Sequence, residues 1–122
     1  MIWDDESKKR LQGIISKKLD EICVPVFSSA PSLEEIAKKH PEATIDDIAR
    51  LLAPNYEERD VRFAQFFAEL GIEHKDPYKS EWIVEKEGFV ALDTVGLRGG
   101  LKGPFINVPE EVAERILLEG LP

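Results

Sequence analysis

Apolar residues recur every three or four positions in two long stretches of the chain, and this helical spacing constrains the fold more than any other feature. In residues 4–22 these positions form one face, and charged residues such as Lys8, Lys9, Lys17, Lys18 and Asp20 occupy other positions. In residues 56–70 the face is mainly phenylalanine, and Gly71 follows as a left-handed C-cap. The apolar positions are Leu11, Ile14, Ile15, Leu19 and Ile22, then Phe63, Phe66, Phe67 and Leu70. We therefore expect a compact helical body built on two amphipathic helices.

Capping signals predict two shorter helices between these stretches. Ser32 followed by Glu35 forms a capping box, so a helix is predicted over residues 32–40. A similar cap at Thr44 begins a helix over residues 44–52, with a buried stripe of Ile45, Ile48, Ala49 and Leu52. Pro54 is predicted to end that helix, and Asn55 to cap the next one.

Four β-prone runs follow or separate the helices. They cover residues 24–27, 82–84, 89–92 and 105–108. The first contains Pro25 and predicts an edge strand or an extended linker. The second and third predict a hairpin with Gly88 at a positive φ. A last helix over residues 109–120 completes an α+β fold, with a small antiparallel sheet and a C-terminal helix.

Length and composition predict one domain over residues 1–122. Hydrophobic residues make up 43% of the chain and charged residues 33%, a balance that supports a packed interior. The longest apolar runs fall far short of the roughly 20 residues of a membrane helix, and the first residues do not resemble a signal peptide. A cytoplasmic protein without a membrane partner is expected. The Lys- and Glu-rich composition leans toward that of thermophile proteins.

A net charge of −8 bears on the class of partner. Nucleic-acid affinity comes largely from Lys and Arg contacts with phosphate, so an acidic chain disfavours it outside a local basic patch. A protein partner is the leading expectation, and a homo-oligomer stays open.

The order of the central helices and the hairpin resembles that of winged-helix domains. The likeness is carried by "TIDDIARLL", "VRFAQFFAELGI" and "WIVEKEGFVAL", within residues 32–93. It implies that the third helix enters the major groove and that the hairpin is the wing, with Arg59 and Arg62 as nucleic-acid contacts. Acidic residues surround both arginines, which favours a protein as the partner. The C-terminal "FVALDTVGLRGGLKGPFINVPEEVAERILLEGLP" looks like the small β domain of GINS replication proteins, where a glycine-bearing hairpin leads to a short helix.

A tandem glycine repeat is the most unusual local motif. It consists of Gly96, Leu97, Arg98, Gly99, followed by Gly100, Leu101, Lys102, Gly103. Glycines let backbone amides approach an anion, and the two cations add charge-assisted bonds, so the loop is a candidate for phosphate or carboxylate contact. The sequence context excludes a nucleotide P-loop, because Pro104 and a β-prone run follow where a helix is required. A plain turn between two strands is the alternative.

Catalytic and metal-binding constellations are not evident. Cys23 is the single cysteine and is expected to be buried and inert. His40 and His74 have no second ligand at helical spacing, although a site shared with Glu73 or Asp76 is a minor hypothesis. Acidic pairs fall mostly in first helical turns, where they stabilise the dipole. No catalytic residue, metal or cofactor is predicted, and an enzyme is not expected.

The sequence therefore predicts a non-catalytic binding module, an adaptor or accessory subunit for a protein partner. A winged-helix nucleic-acid-binding regulator is the first alternative. A small-anion or nucleotide binder at the glycine loop is the second.

Overall fold

The computed structural model describes residues 2–28, 30–75, 82–93 and 105–122. In chain order, these residues form α1 (Asp5–Phe27), α2 (Leu33–Lys39), α3 (Ile45–Leu70), β1 (Glu73–His74), β2 (Phe89–Leu92), β3 (Ile106–Pro109) and α4 (Glu110–Glu119). The predicted α+β class, with a small antiparallel sheet and a C-terminal helix, is confirmed.

Helix α1 is longer than its sequence predicts. It begins at an Asp4 N-cap that accepts a hydrogen bond from the Ser7 amide at 2.7 Å. It then continues through Pro25, so the strand or linker predicted over residues 24–27 is wrong. Pro25 has no N–H to donate to the carbonyl of Glu21. Buried packing of the next residue, Val26, accompanies the extra turn.

The break predicted at Pro54 is also wrong. Residues 44–52 and 56–70 belong to one helix, α3, and Asn55 lies inside it. Instead of capping a new helix, the Asn55 side chain donates a hydrogen bond to the Val26 carbonyl at 3.0 Å. That carbonyl lies in the last turn of α1, where helical carbonyls lack intrahelical partners. The helix–turn–helix implied by the winged-helix resemblance is consequently not formed by these residues.

Apart from Asn55, the predicted cap residues Ser32, Thr44, Gly71 and Gly120 are confirmed. Ser32 Oγ accepts from the Glu35 amide at 3.2 Å. Thr44 and Asp47 form a reciprocal capping box at the start of α3. At its end Gly71 adopts a left-handed conformation with φ 68°, and Gly120 closes α4.

The three strands pair in the order β1-β3-β2, all antiparallel. Strands β2 and β3 match their predictions, and Gly88 has the expected positive φ of 85°. Residues 82–84, however, form no strand, so the predicted hairpin is wrong. This segment is held instead by Asn107 of β3, whose side-chain amide donates to the Val84 carbonyl at 3.0 Å.

The core lies where α1, the second half of α3, the sheet and α4 meet. Its members are fully or nearly fully buried: Leu11, Ile15, Leu19, Phe63, Phe66, Phe67, Ile72, Val90, Leu92, Ile106, Val108, Ala113 and Ile116. No core member comes from α2 or from the first half of α3. The molecule thus divides into a core region and a part that contributes little to the core.

Candidate functional site

The part that contributes little to the core comprises the described residues from 24 to 62, called the arm below. Of the 17 buried hydrophobic residues in the described chain, the arm holds two, Val26 and Ile36. Of the ten large hydrophobic side chains that are exposed, it holds six: Val24, Leu33, Ile45, Leu51, Tyr56 and Val61. Single exposed apolar side chains are normal on any protein, but their concentration in one segment marks a candidate interaction surface.

The apolar stripe of α3 shows the same division along a single helix. Positions 45, 48, 49, 52 and 56 continue, at helical spacing, into positions 63, 66, 67 and 70. Phe67 in the second half is 4% exposed, whereas Ile45 in the first half is 86% exposed. The stripe is therefore continuous in sequence but buried only in the second half of α3. The predicted burial of the first half is wrong at Ile45 and Ala49, which are exposed, while Ile48 and Leu52 are half-buried.

A few specific contacts hold the parts of the arm to one another. The Asn55–Val26 hydrogen bond joins α3 to the last turn of α1. Beside it, the rings of Phe27 and Tyr56 meet edge to face at 5.2 Å. Ile36 of α2 is buried. The last turn of α1 is thus joined to the middle of α3 within the arm, while much of the arm's surface stays open to solvent.

A concave site of about 600 Å³ lies at the corner between α2 and α3. Its lining residues are His40, Pro41, Glu42, Ala43, Asp47, Arg50 and Leu51. Backbone hydrogen bonds shape the corner: His40 N–H donates to the Ile36 carbonyl at 2.8 Å, and Ala43 N–H donates to the His40 carbonyl at 3.0 Å. The volume falls within the range of small-molecule and side-chain pockets.

The capping box fixes one carboxylate at this cavity. Asp47 Oδ2 accepts from the Thr44 amide at 3.0 Å, while Thr44 Oγ1 accepts from the Asp47 amide at 3.2 Å. The hydrogen bond from the Thr44 backbone amide lowers the pKa of Asp47 below its ordinary value. Asp47 therefore presents a fixed negative charge at neutral pH.

The sequence did not single out this cavity. It assigned His40 to a helix end and Asp47 to a cap, and both assignments hold. The available signal was Leu51, a large apolar residue outside the predicted stripe of Ile45, Ile48, Ala49 and Leu52. An apolar residue off the buried face of a helix marks either a second packing surface or a binding surface.

The arginines predicted to contact nucleic acid lie on α3 and pair with acidic neighbours. Arg59 binds Asp60 at 2.9 Å and lies over the rings of Tyr56 and Phe63, at 5.0 and 5.7 Å. Arg62 binds Glu58 at 2.9 Å. Both guanidinium groups would have to exchange a carboxylate for a phosphate in order to bind a nucleic acid. Their role in binding stays a prediction.

The glycine loop, with Gly96, Arg98, Gly99, Gly100, Lys102 and Gly103, lies outside the described residues. Its predicted contact with an anion is therefore neither supported nor contradicted by the geometry.

Cys23 lies half-buried within α1. Burial raises the pKa of its thiol, the charge of Arg59 lowers it, and that of Asp20 raises it, with a net rise. The thiolate, which is the reactive form, is thus disfavoured at neutral pH.

The two histidines lie on different elements of the fold. His40 is the C-cap of α2, and His74 lies in β1 with its ring 4.9 Å from that of Phe67. In the described part of the chain, no three His, Cys, Asp or Glu side chains are grouped as a metal site would require. Asp76, named in the minor metal hypothesis, is outside the described residues.

None of the described helices combines the length and apolar character needed to cross a membrane. Comparisons with protein-family models, with curated proteins and with solved structures find no match to this chain. The winged-helix and GINS resemblances thus gain no support from known relatives, and the functional argument depends on the surface of the molecule itself.

Proposed function

We propose that this protein is a non-catalytic protein-binding module, an adaptor or accessory subunit, and that the arm is its binding surface. The observation that carries the proposal is the uneven burial of α3, whose apolar stripe is buried at Phe63, Phe66 and Phe67, whereas its first half is exposed at Ile45 and Tyr56 and only half-buried at Ile48 and Leu52. Exposed apolar side chains on an otherwise charged surface are stabilised when a partner removes them from water.

The shape of the arm supports the same proposal. Protein partners bind most strongly where an anchor side chain enters a desolvated pocket surrounded by weaker contacts. The cavity at the α2–α3 corner provides such a pocket, and Leu33, Ile45 and Leu51 provide apolar surface on the same two helices. The proposal also places the protein in the cytoplasm, as its sequence predicts.

The test is affinity retention of partners from a lysate of the protein's own source, with and without nuclease. The arm variant is Ile45→Ser with Leu51→Ser. A matched control is Val84→Ser with Leu118→Ser, which removes two exposed apolar side chains outside the arm. We expect a retained protein that survives nuclease, is lost with the arm variant and is kept by the control.

Equal retention of the partner by the two variants would show that the arm is not the binding surface. Retention that disappears with nuclease would favour the nucleic-acid-binding regulator, with Arg59 and Arg62 as the residues to substitute. The anion-binding alternative predicts ligand-dependent thermal stabilisation that is lost in Arg98→Ala with Lys102→Ala.

A further inference from the structure

The arm has three more carboxylates than cations, and its internal ion pairs leave that excess unchanged. Residues 24–62 contain eight carboxylates and five lysines or arginines. Arg59 is paired with Asp60, and Arg62 with Glu58. Six carboxylates and three cations are left without an ion pair among the described residues: Glu34, Glu35, Glu42, Asp46, Asp47 and Glu57, against Lys38, Lys39 and Arg50. A partner that matches this surface carries a positive excess.

The exposed apolar surface lies within the same acidic region. Leu51 lines the cavity together with the carboxylates of Glu42 and Asp47 and the single guanidinium of Arg50. Apolar burial and charge neutralisation would therefore occur at one contact. Since Asp47 is held by the capping box, part of this negative charge is fixed before any partner arrives.

The geometry of the arm favours a helical partner segment. Residues 33–62 contain helices and a turn but no strand, so an extended peptide finds no sheet edge to join. Helices recognise one another through apolar side chains spaced three or four residues apart. At 3.6 residues per turn, Asp47, Arg50 and Leu51 lie on the face of α3 opposite the stripe that contains Ile45 and Tyr56, so the partner helix would bind at the cavity and not along the stripe.

A second copy of the chain is a poor occupant. A symmetric dimer places the same surface against itself, so the unpaired carboxylates of one arm would face those of the other. The net charge of −8 on each chain adds to this repulsion.

We infer that the arm binds an amphipathic helix whose apolar face is flanked by lysine or arginine, with one apolar side chain entering the cavity at the α2–α3 corner. This inference depends on the proposed protein-binding function and specifies the chemistry of the partner.

Two synthetic probe helices test it. Both are 14-residue fluorescent peptides with leucine at the a and d positions of a heptad. One has lysine at the flanking positions, and the other has glutamate there. Binding is followed by fluorescence anisotropy at low and at physiological salt, with the full-length chain. We expect the lysine peptide to bind, to weaken as salt rises, and to bind at least about tenfold more tightly than the glutamate peptide.

Two charge-neutralised proteins locate the contact. Glu42→Gln with Asp46→Asn removes carboxylates beside the cavity while leaving the Thr44–Asp47 box intact. Glu111→Gln with Glu119→Gln is the matched control on α4, since both of its residues are exposed and one lies in a first helical turn. The first variant should bind the lysine peptide about fivefold more weakly, and the control within about twofold of the unaltered chain.

Equal binding of the two peptides, or equal losses in the two variants, would overturn the inference. So would a dimer in sedimentation equilibrium that dissociates in Ile45→Ser with Leu51→Ser, because the occupant would then be a second copy. The failures of the two proposals are distinguishable. If a lysate protein is retained through the arm but neither peptide binds, the partner chemistry is wrong and the binding function stands. If the arm variant has no effect on retention, both proposals fail.

Discussion

The two halves of α3 have the same apolar spacing but different surroundings. In the second half, Phe63, Phe66 and Phe67 belong to the buried core, and α3 packs against α1 and β1. In the first half, Ile45 is almost fully exposed, and Leu51 faces an open cavity. The pattern of a helix identifies which face is apolar, whereas the rest of the fold decides whether that face is covered. An apolar face that the fold leaves open is available to a partner.

The largest expected difference between the halves is in their response to truncation. Phe67→Ala removes a ring that lies 5.6 Å from that of Phe66 and 4.9 Å from that of His74. It should lower the free energy of unfolding by about 3–5 kcal/mol. Ile45→Ala, at the exposed end, should change it by less than about 0.5 kcal/mol. Urea denaturation measures both, and a large loss for Ile45→Ala would show that this end is covered in solution.

Pro54 tests whether the halves respond independently. Pro54→Ala restores an amide that can donate to the Arg50 carbonyl, and an interior proline costs about 3 kcal/mol relative to alanine. Alanine also gives the unfolded chain more conformational freedom than proline does, and this offsets about 0.4–1 kcal/mol of the gain. We expect the first half of α3 to become about 2 kcal/mol more resistant to local opening. Hydrogen exchange should slow over residues 48–58 and stay unchanged over residues 63–70. Uniform slowing would mean that α3 opens as one unit.

The two ends of α3 provide a smaller effect. Gly71→Ala places a side chain at φ 68°, and should lower global stability by about 1 kcal/mol. Steric conflict adds little, because the new Cβ would lie 3.6 Å from Pro109 Cγ. Thr44→Ala removes an N-cap bond that is also typically worth about 1 kcal/mol. If the arm opens independently of the core region, losing this bond lowers the free energy of local opening more than that of global unfolding. The loss should therefore appear mainly as faster hydrogen exchange over residues 45–50. If urea denaturation gave Gly71→Ala and Thr44→Ala equal losses of unfolding free energy, the two ends of α3 would not respond separately.

The smallest effect concerns pH. Hydrogen bonds lower the pKa of Asp4 at the start of α1 and of Asp47 at the start of α3. Each carboxylate therefore contributes stability that is present above the ordinary value of 3.8 and is lost as the pH falls through its lower folded-state pKa. Asp4→Asn should weaken the dependence of the free energy of global unfolding on pH in acid. Asp47→Asn should weaken the dependence of hydrogen exchange in the arm on the same fall in pH. The same change from both variants would argue against separate halves.

Local sequence rules predict most of the core region. Helical spacing identifies α1 and the second half of α3, and the cap residues Ser32, Thr44 and Gly71 act as expected. These features depend on neighbouring residues, so they can be inferred without knowledge of the fold.

The wrong predictions involve contacts between residues distant in sequence. Both interior prolines lie where α1 and α3 meet, and the Asn55–Val26 bond there satisfies a carbonyl at the end of α1. Residues 82–84 are β-prone and their exposure alternates as in a strand, but the side chain of Asn107 holds this segment instead. Strand β1 consists of two exposed polar residues that pair with positions more than 30 residues away, so no local pattern announces it. The cavity likewise depends on how α2 turns into α3.

The position of β3 in the sheet has a consequence for synthesis on the ribosome. Both of its neighbours, β1 and β2, precede it in the chain, yet each pairs only with β3 in the described sheet. Until residues 106–109 leave the exit tunnel, the nascent chain therefore lacks the strand that joins the two edges. α4 follows immediately and supplies Ala113 and Ile116 to the core. The long helices are made first but stay incompletely covered until then, so a pause in translation before residue 106 would prolong the interval in which their phenylalanines are open to aggregation.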